Sequence, residues 1–251
     1  MSWTSKALRL SALTLALFGA GAAIAGTIVV RSTGPSAKSY PPGKALADNS
    51  KVTLRAGDKV TILDGQGTRV LSGPGTYETT ATASAATESA LGKLLRNTGA
   101  RQARTGATRG TGAVPGALRA PSLWFIDVTK SGTMCLASVS AASLWRPATG
   151  SNQSLSITSV NDGKSATLDF RAGLSTRAWP VEMVPITGGG QYRISGTGMS
   201  NPTTVRIATL GPNPQGLEGT VSELIKNGCD HQLDLIVDTV ALPGGDAAPA
   251  G

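Results

Sequence analysis

Four stretches of this 251-residue sequence hold residue types that can do chemistry. The first is AGDKVTILDGQGTRVLSGPGTY, residues 56–77, where glycines cluster in GQG and GPG. Glycine-rich loops after a hydrophobic strand can cradle phosphates. A Walker loop, however, needs a lysine directly after its last glycine, followed by Ser or Thr, and none stands here. A dinucleotide fingerprint needs a third glycine opening a helix, and GQG is followed by β-branched residues instead. The stretch reads as two strands joined at Asp64-Gly65, a dipeptide suited to tight hairpins. The second stretch is GCDHQ, with Cys229, Asp230 and His231 in a row. Neighbours at i and i+2 on a helix point apart, so a thiol and imidazole so placed do not meet as a catalytic pair.

The third set is carboxylate. Asp127, Asp169 and Glu182 would serve glycoside cleavage if the fold gathered two of them around one bond, but nothing in the sequence selects these three over other acids. The fourth is RQARTGATRGTG, residues 101–112, whose arginines suit an anionic partner. One histidine in the whole chain rules out multi-histidine zinc sites. No G-x-S-x-G elbow occurs. These residues imply no metal, no cofactor and no catalytic group.

Short strands separated by turns must carry these residues. Charged residues make up only 15% of the chain and aromatics 4%, while Gly (32) and Pro (14) are plentiful, which argues against long helices. Between residues 26 and 80, TIVVR, SKVTL, DKVTILD and TRVLS are β-branched and mostly alternating, so a small β-meander or partial barrel is expected. In KVTIL, Val60 and Ile62 face one way and Thr61 and Leu63 the other. With so little core, this module is expected to lean on a partner or on the rest of the chain. Residues 81–120 read as a basic flexible linker with one short helix over 88–96, where Leu91, Leu94 and Leu95 share a face. Residues 121–242 hold SLWFIDVT, GTMCLASV, QSLSITSV, SATLDFR, GQYRISG and TTVRIATL, a spacing that predicts an antiparallel β-sandwich. Trp124, Trp145, Trp179 and Phe170 are its large apolar side chains. Two amphipathic helices close the unit as a hairpin, with Gly228 ending the first and Asp230 capping the second. The tail, residues 243–251, is expected to be disordered. The fold class is therefore mainly β with a C-terminal helical hairpin.

Residues 1–25 read as a secretory signal peptide: Lys6 and Arg9, an apolar stretch, then small residues at Ala23 and Ala25. The rival reading is an inner-membrane anchor, because residues 10–30 carry no charge and are long enough to span a bilayer. Either way the body is exported, to the periplasm or beyond. In an oxidising compartment the two cysteines, Cys135 and Cys229, read as one structural disulfide. Charge is concentrated. Residues 27–88 are net +2 and residues 121–251 net −2, whereas residues 89–120 hold Lys93, Arg96, Arg101, Arg104, Arg109 and Arg119 and no acid. Export argues against a nucleic-acid partner, so these six suit an anionic membrane surface or an acidic envelope protein.

LRAGDKVTILDGQGTRVLSGPGTY, a "GD-V" strand followed by a Gly/Pro-marked hairpin, resembles the periplasmic β-module of the iron-dicitrate sensor (FecR-type) family over residues 27–80. That resemblance implies an envelope module. The cytoplasmic anti-sigma segment of the family has no counterpart before the apolar stretch. The combined expectation is a non-enzymatic, exported interaction or sensing protein of the bacterial envelope. The alternative is an exported hydrolase acting on envelope polymers, with a carboxylate site in residues 121–242.

Overall fold

The computed structural model describes residues 26–79, 84–96, 119–210 and 216–246. The described residues open with β1 (Thr27–Thr33), β2 (Ala45–Leu46), β3 (Lys51–Leu54), β4 (Lys59–Asp64), β5 (Gly67–Ser72) and β6 (Gly75–Glu78). With β15 (Ala241–Asp246), four of these build a sheet in the order β15-β5-β4-β1-β2, and β3 and β6 form a separate ribbon. Val29, Val60 and Ile62 face the ribbon and share a core with Val52, Leu54, Leu71 and Tyr77. Ile28, Val30 and Leu63 face the opposite way, into a layer of helices. This sheet is covered on both sides, which is why Thr27–Val30 of β1 are buried without interruption.

β4 and β5 turn through Gly65-Gln66, with Asp64 paired to Gly67. The buried Asp64 carboxylate closes the turn. Its Oδ1 accepts from the N–H groups of Gln66 (2.9 Å) and Gly67 (3.2 Å), and its Oδ2 from Arg69 Nε (3.0 Å). The turn carbonyls then hold the start of α1 (Ala85–Leu95): Ser84 N donates to Gly65 O (2.8 Å) and Thr87 Oγ1 to Gln66 O (2.8 Å). Ser84 caps that helix by accepting from Thr87 N (3.1 Å). The glycine-rich stretch is thus a hairpin that docks a helix.

α1 starts three residues before the expected helix, and it belongs to the core rather than to a linker. Leu91 and Leu94 are buried among the helices, with Leu95 packed against them. Its last carbonyls find tertiary partners. Leu123 N donates to Leu94 O (2.9 Å), Trp124 Nε1 to Leu95 O (2.8 Å) and Ser122 Oγ to Arg96 O (2.8 Å). The basic stretch beyond Arg96, up to residue 118, lies outside the described residues.

The second half contains β7 (Phe125–Asp127), β8 (Gly132–Leu136), β9 (Ser143–Trp145), β10 (Gln153–Ser159), β11 (Ser165–Phe170), β12 (Thr176–Ala178), β13 (Gln191–Gly196) and β14 (Thr203–Thr209). Two sheets, β11-β10-β13-β14-β8 and β12-β9-β7, enclose one core of alternating inward residues such as Leu144, Leu155, Ile157, Ile194 and Ile207. Neither half closes into a barrel. Trp145, Trp179 and Phe170 are buried in this half, and Trp124 in the helical core. Trp179 meets Tyr192 edge-on, ring centroids 5.0 Å apart. The sandwich is mixed rather than antiparallel, since β8 runs parallel to β14 and β7 parallel to β9. Neither pair is joined by a hairpin, so nothing local dictates its direction.

α2 (Gly216–Asn227) and α3 (Asp230–Thr239) follow as expected. Gly228, at φ +68°, ends α2: its N–H donates to Ile225 O (3.1 Å) and the N–H of Cys229 to Leu224 O (2.9 Å). This is the double bond pattern of a left-handed glycine cap. Asp230 does not cap α3. Cys229 holds the cap position without a side-chain bond, and Asp230 lies in the first turn, where its charge suits the helix dipole. The tail also departs from expectation. Residues 241–246 pair in parallel with β5, Ala241 opposite Thr68 and Asp246 opposite Val70. A strand at an open edge is held by backbone groups, so its composition says little about it. Residues 247–251 lie outside the described residues.

Two buried features stabilise this fold. Cys135 and Cys229 form a disulfide, Cα–Cα 5.9 Å, with both residues fully buried. Replacing both with alanine is expected to cost about 2–4 kcal/mol in urea unfolding, and thiol titration of the unfolded, unreduced protein should find no thiol. The second feature is Asp58, buried beneath Gly34. Burial alone would raise its carboxyl. The Ser36 hydroxyl, the N–H groups of Ser36 and Arg55, and the Arg55 charge outweigh that and hold it below the ordinary carboxylate value. A depressed native value contributes stability that is present above the unfolded value of about 3.9 and lost as pH falls through the native one. Asp58→Asn should therefore flatten the fall of the urea midpoint below about pH 4.

Candidate functional site

The helical core joins the two halves, and a groove of about 650 Å³ opens beside it. One wall is α3. Its apolar stripe, Leu233 and Ile236, is buried, which turns His231, Asp234, Leu235 and Asp238 toward the groove at helical spacing. The other wall comes from Arg31 of β1 and from the segment Arg119 to Lys130, including Leu123, Phe125 and Asp127.

Gln232 fixes α3 in place. Its buried side chain lies along the open edge of β8. Oε1 accepts from Cys135 N (2.7 Å), and Nε2 donates to Cys135 O (2.8 Å) and Leu123 O (2.7 Å). One amide thus takes the place of a missing neighbouring strand. The disulfide ties the same two elements one turn away. At the groove's far end, His231 Nε2 lies 2.9 Å from Ser131 O. A carbonyl only accepts, so Nε2 is the donor in this contact.

Arg31 reaches the groove because of a bulge. The β1–β4 register shifts between Val29 and Arg31, so Arg31 lies opposite Thr61 instead of Val60. Thr61 is on the helix side of the sheet, and the extra residue re-aims Arg31 from the ribbon to α3. There it pairs with Asp234, and Arg119 pairs with Asp238 at 3.3 Å. The two pairs, four residues apart on α3, bridge the walls. All four side chains are near half exposed, 44–52%. Such pairs are worth about 0–1 kcal/mol, so a bound charged group can displace them. Asp127 Oδ1 accepts from Thr129 N (2.9 Å) and Thr129 Oγ1 (2.7 Å). Each groove carboxylate is thus already engaged. Lys130 is exposed, with no ion pair among the described residues.

The residues singled out by sequence divide clearly. Cys135 and Cys229 are the disulfide just described. Lys93 and Arg96 are exposed at the end of α1, Arg96 Nε donating to Gly92 O (3.1 Å). Arg101, Arg104 and Arg109 lie outside the described residues. Arg119 enters the groove. Of the three acids, Asp127 lines the groove, Asp169 on β11 accepts from Ser154 Oγ (2.5 Å), and Glu182 is in the loop after β12. Among the described residues no three His, Cys, Asp or Glu side chains gather into a metal-binding group. Sequence reasoning missed Arg31, Lys130, Gln232, Asp234 and Asp238. The polar face of α3 was visible in its spacing, but the bulge and the Gln232 bonds were not.

Searches against protein-family models, curated proteins and solved structures each found no match.

Gln232→Leu should strand one buried N–H and two buried carbonyls. Each such group costs about 1–3 kcal/mol, so urea unfolding should show a loss of several kcal/mol. A loss below about 1 kcal/mol would mean that solvent replaces these bonds.

Proposed function

We propose that this chain is a non-enzymatic, exported interaction or sensing protein of the bacterial envelope, and that the α3 groove is its recognition surface. The groove carries this reading. It is built across both halves of the chain, its volume falls within the usual range for ligand sites, and its mouth is bridged by weak, displaceable ion pairs. Apolar lining from Leu123, Phe125, Met134 and Leu235 beside charges of both signs suits a protein segment better than a single small anion. The leader-like residues 1–25 and the buried disulfide support residence in an oxidising compartment, the periplasm. Thr27–Val30 being core of β1 favours a signal peptide over an anchor that would draw on the same residues. The likeness of the β4–β5 region to the FecR-type periplasmic module points to the same place. The basic residues 93–119 supply a second contact, to an anionic membrane surface. A hydrolase acting on envelope polymers would draw on Asp127, the one expected acid in the groove.

The test places a photo-crosslinking residue at Thr129 in the groove, or at Lys51 on the ribbon, in the native host. An envelope protein should be trapped from Thr129 and not from Lys51, and Asp127→Asn should leave that yield unchanged. Equal yields from the two positions, or cytoplasmic fractionation of the protein, would overturn the proposal. Loss of the adduct in Asp127→Asn together with polymer-cleaving activity in the parent would favour the hydrolase.

A further inference from the structure

The helices dock at the β8 end of the five-stranded sheet, where Cys135 and Ala208 enter the helical core. β11 is the opposite edge of that sheet, four strand spacings or about 19 Å away. Hydrogen bonds show which of its backbone groups are free. Ser159 N donates to Lys164 O (2.8 Å), whereas Val160 N donates to Gln191 O on the β13 side (2.9 Å). Antiparallel bonding alternates from there. Ala166, Leu168 and Phe170 therefore bond to Ile157, Leu155 and Gln153 of β10. Ser165, Thr167 and Asp169 point their N–H and C=O groups away from the sheet. All three residues are exposed, and no strand or backbone group among the described residues meets them.

This edge lacks the devices that keep edges single. Its register with β10 runs without a bulge, and SATLDF holds no proline and no lysine. The other edges of the sandwich differ. β8 is covered by Gln232, and β7 and β12 are three residues long. β11 is also complementary to itself. Antiparallel pairing about a two-fold axis at Thr167 sets Thr167 opposite its own copy, a favourable cross-strand pair. It sets Ser165 opposite Asp169 on both sides of the axis. Asp169 Oδ1 accepts from Ser154 Oγ (2.5 Å), so Oδ2 is left for the Ser165 hydroxyl of the second copy. On the other face of the strand, Ala166 meets the half-buried Leu168. Beyond the strand, Arg171 is exposed and has no ion pair among the described residues. The same register brings it beside the turn holding Asp162 of the second copy. Asp162 forms an exposed pair with Lys164 at 3.1 Å, which a second cation can share.

We infer that β11 is a self-association edge, through which two copies of this chain pair antiparallel and join their sheets into one. Thr167 exchanges both backbone bonds with Thr167 of the second copy, and Ser165 does so with Asp169 at each flank. A second copy fits better than an unrelated strand, because each polar group on the edge finds its complement within the same short segment. One strand pair is smaller than a standard interface, so the dimer is weak, with a Kd on the order of tens of micromolar. This inference does not depend on the groove or on its partner.

Sedimentation equilibrium of the full chain tests it. The parent should pass from monomer to dimer between about 1 and 500 μM. Thr167→Lys sets two ammonium groups against each other at the axis and should weaken the dimer about tenfold or more, as should Thr167→Glu with two carboxylates. An equimolar mixture of the two variants should regain the parent's association, since the opposed charges are then complementary. Urea midpoints of both variants should match the parent's, because Thr167 is exposed and its outward groups bond nothing within the chain. A parent that stays monomeric at about 500 μM would overturn the inference. So would a dimer that neither variant weakens, or a mixture that associates no better than its components. A photo-crosslinking residue at Thr167 that traps a different protein instead of a second copy would overturn it in favour of a heterologous strand.

Discussion

The bond set between the Gln232 amide and the edge of β8 organises this molecule. β8 is the last strand of the five-stranded sheet, and Cys135 within it has an N–H and a C=O with no neighbouring strand to meet them. Gln232 satisfies both and reaches the carbonyl of Leu123 as well. A buried amide with all its bonds made is highly directional, because displacing it strands several backbone groups together. The disulfide adds a covalent constraint at the same place. Together they set the position and rotation of α3, and with it which residues line the groove.

Because α3 is set, the two β-halves share a core instead of standing apart. Ile28, Val30 and Leu63 from the first sheet, Leu91 and Leu94 from α1, and Ala208 and Leu210 from the end of the sandwich all pack around α2 and α3. The first sheet alone would leave one face of β1 and β4 exposed. The C-terminal strand β15 adds a further tie by crossing back to β5. The small N-terminal module therefore has little independence. A groove at the junction is a natural consequence, since its walls are contributed by elements that only the shared helices bring together.

Much of the fold is legible in the residues. β-branched alternation marks β1, β3, β4 and β5, and six of the eight sandwich strands coincide with apolar runs bounded by Gly, Pro or Asn. β9 and β12 are only three residues long, too short to show a period. The helical spacing of Leu217, Val221 and Leu224, and of Leu233 and Ile236, shows in the chain and in the buried faces alike. The expected opposition of Val60 and Ile62 to Leu63 is also present. The groove was hidden for a different reason. Alternation would assign Arg31 to the ribbon side of the sheet, and one extra residue in β1 turns it to the helix side.

By itself the amino-acid sequence determined most of the longer strands, the three helices and the pairing of the two cysteines, but not the short strands β9 and β12 or the C-terminal strand β15. Those outcomes depend on local periodicity, on glycine and proline geometry, and on a cysteine count, all of which survive without knowledge of distant contacts. The tertiary structure alone decided the parallel docking of β8 on β14 and of β15 on β5, the direction of Arg31, and the use of Gln232 as a surrogate strand. Each of those depends on backbone groups or single side chains meeting partners far away in the chain, up to 203 residues for Arg31 and Asp234. Local pattern carries no information about such meetings, because any polar residue of suitable reach would look the same in the sequence.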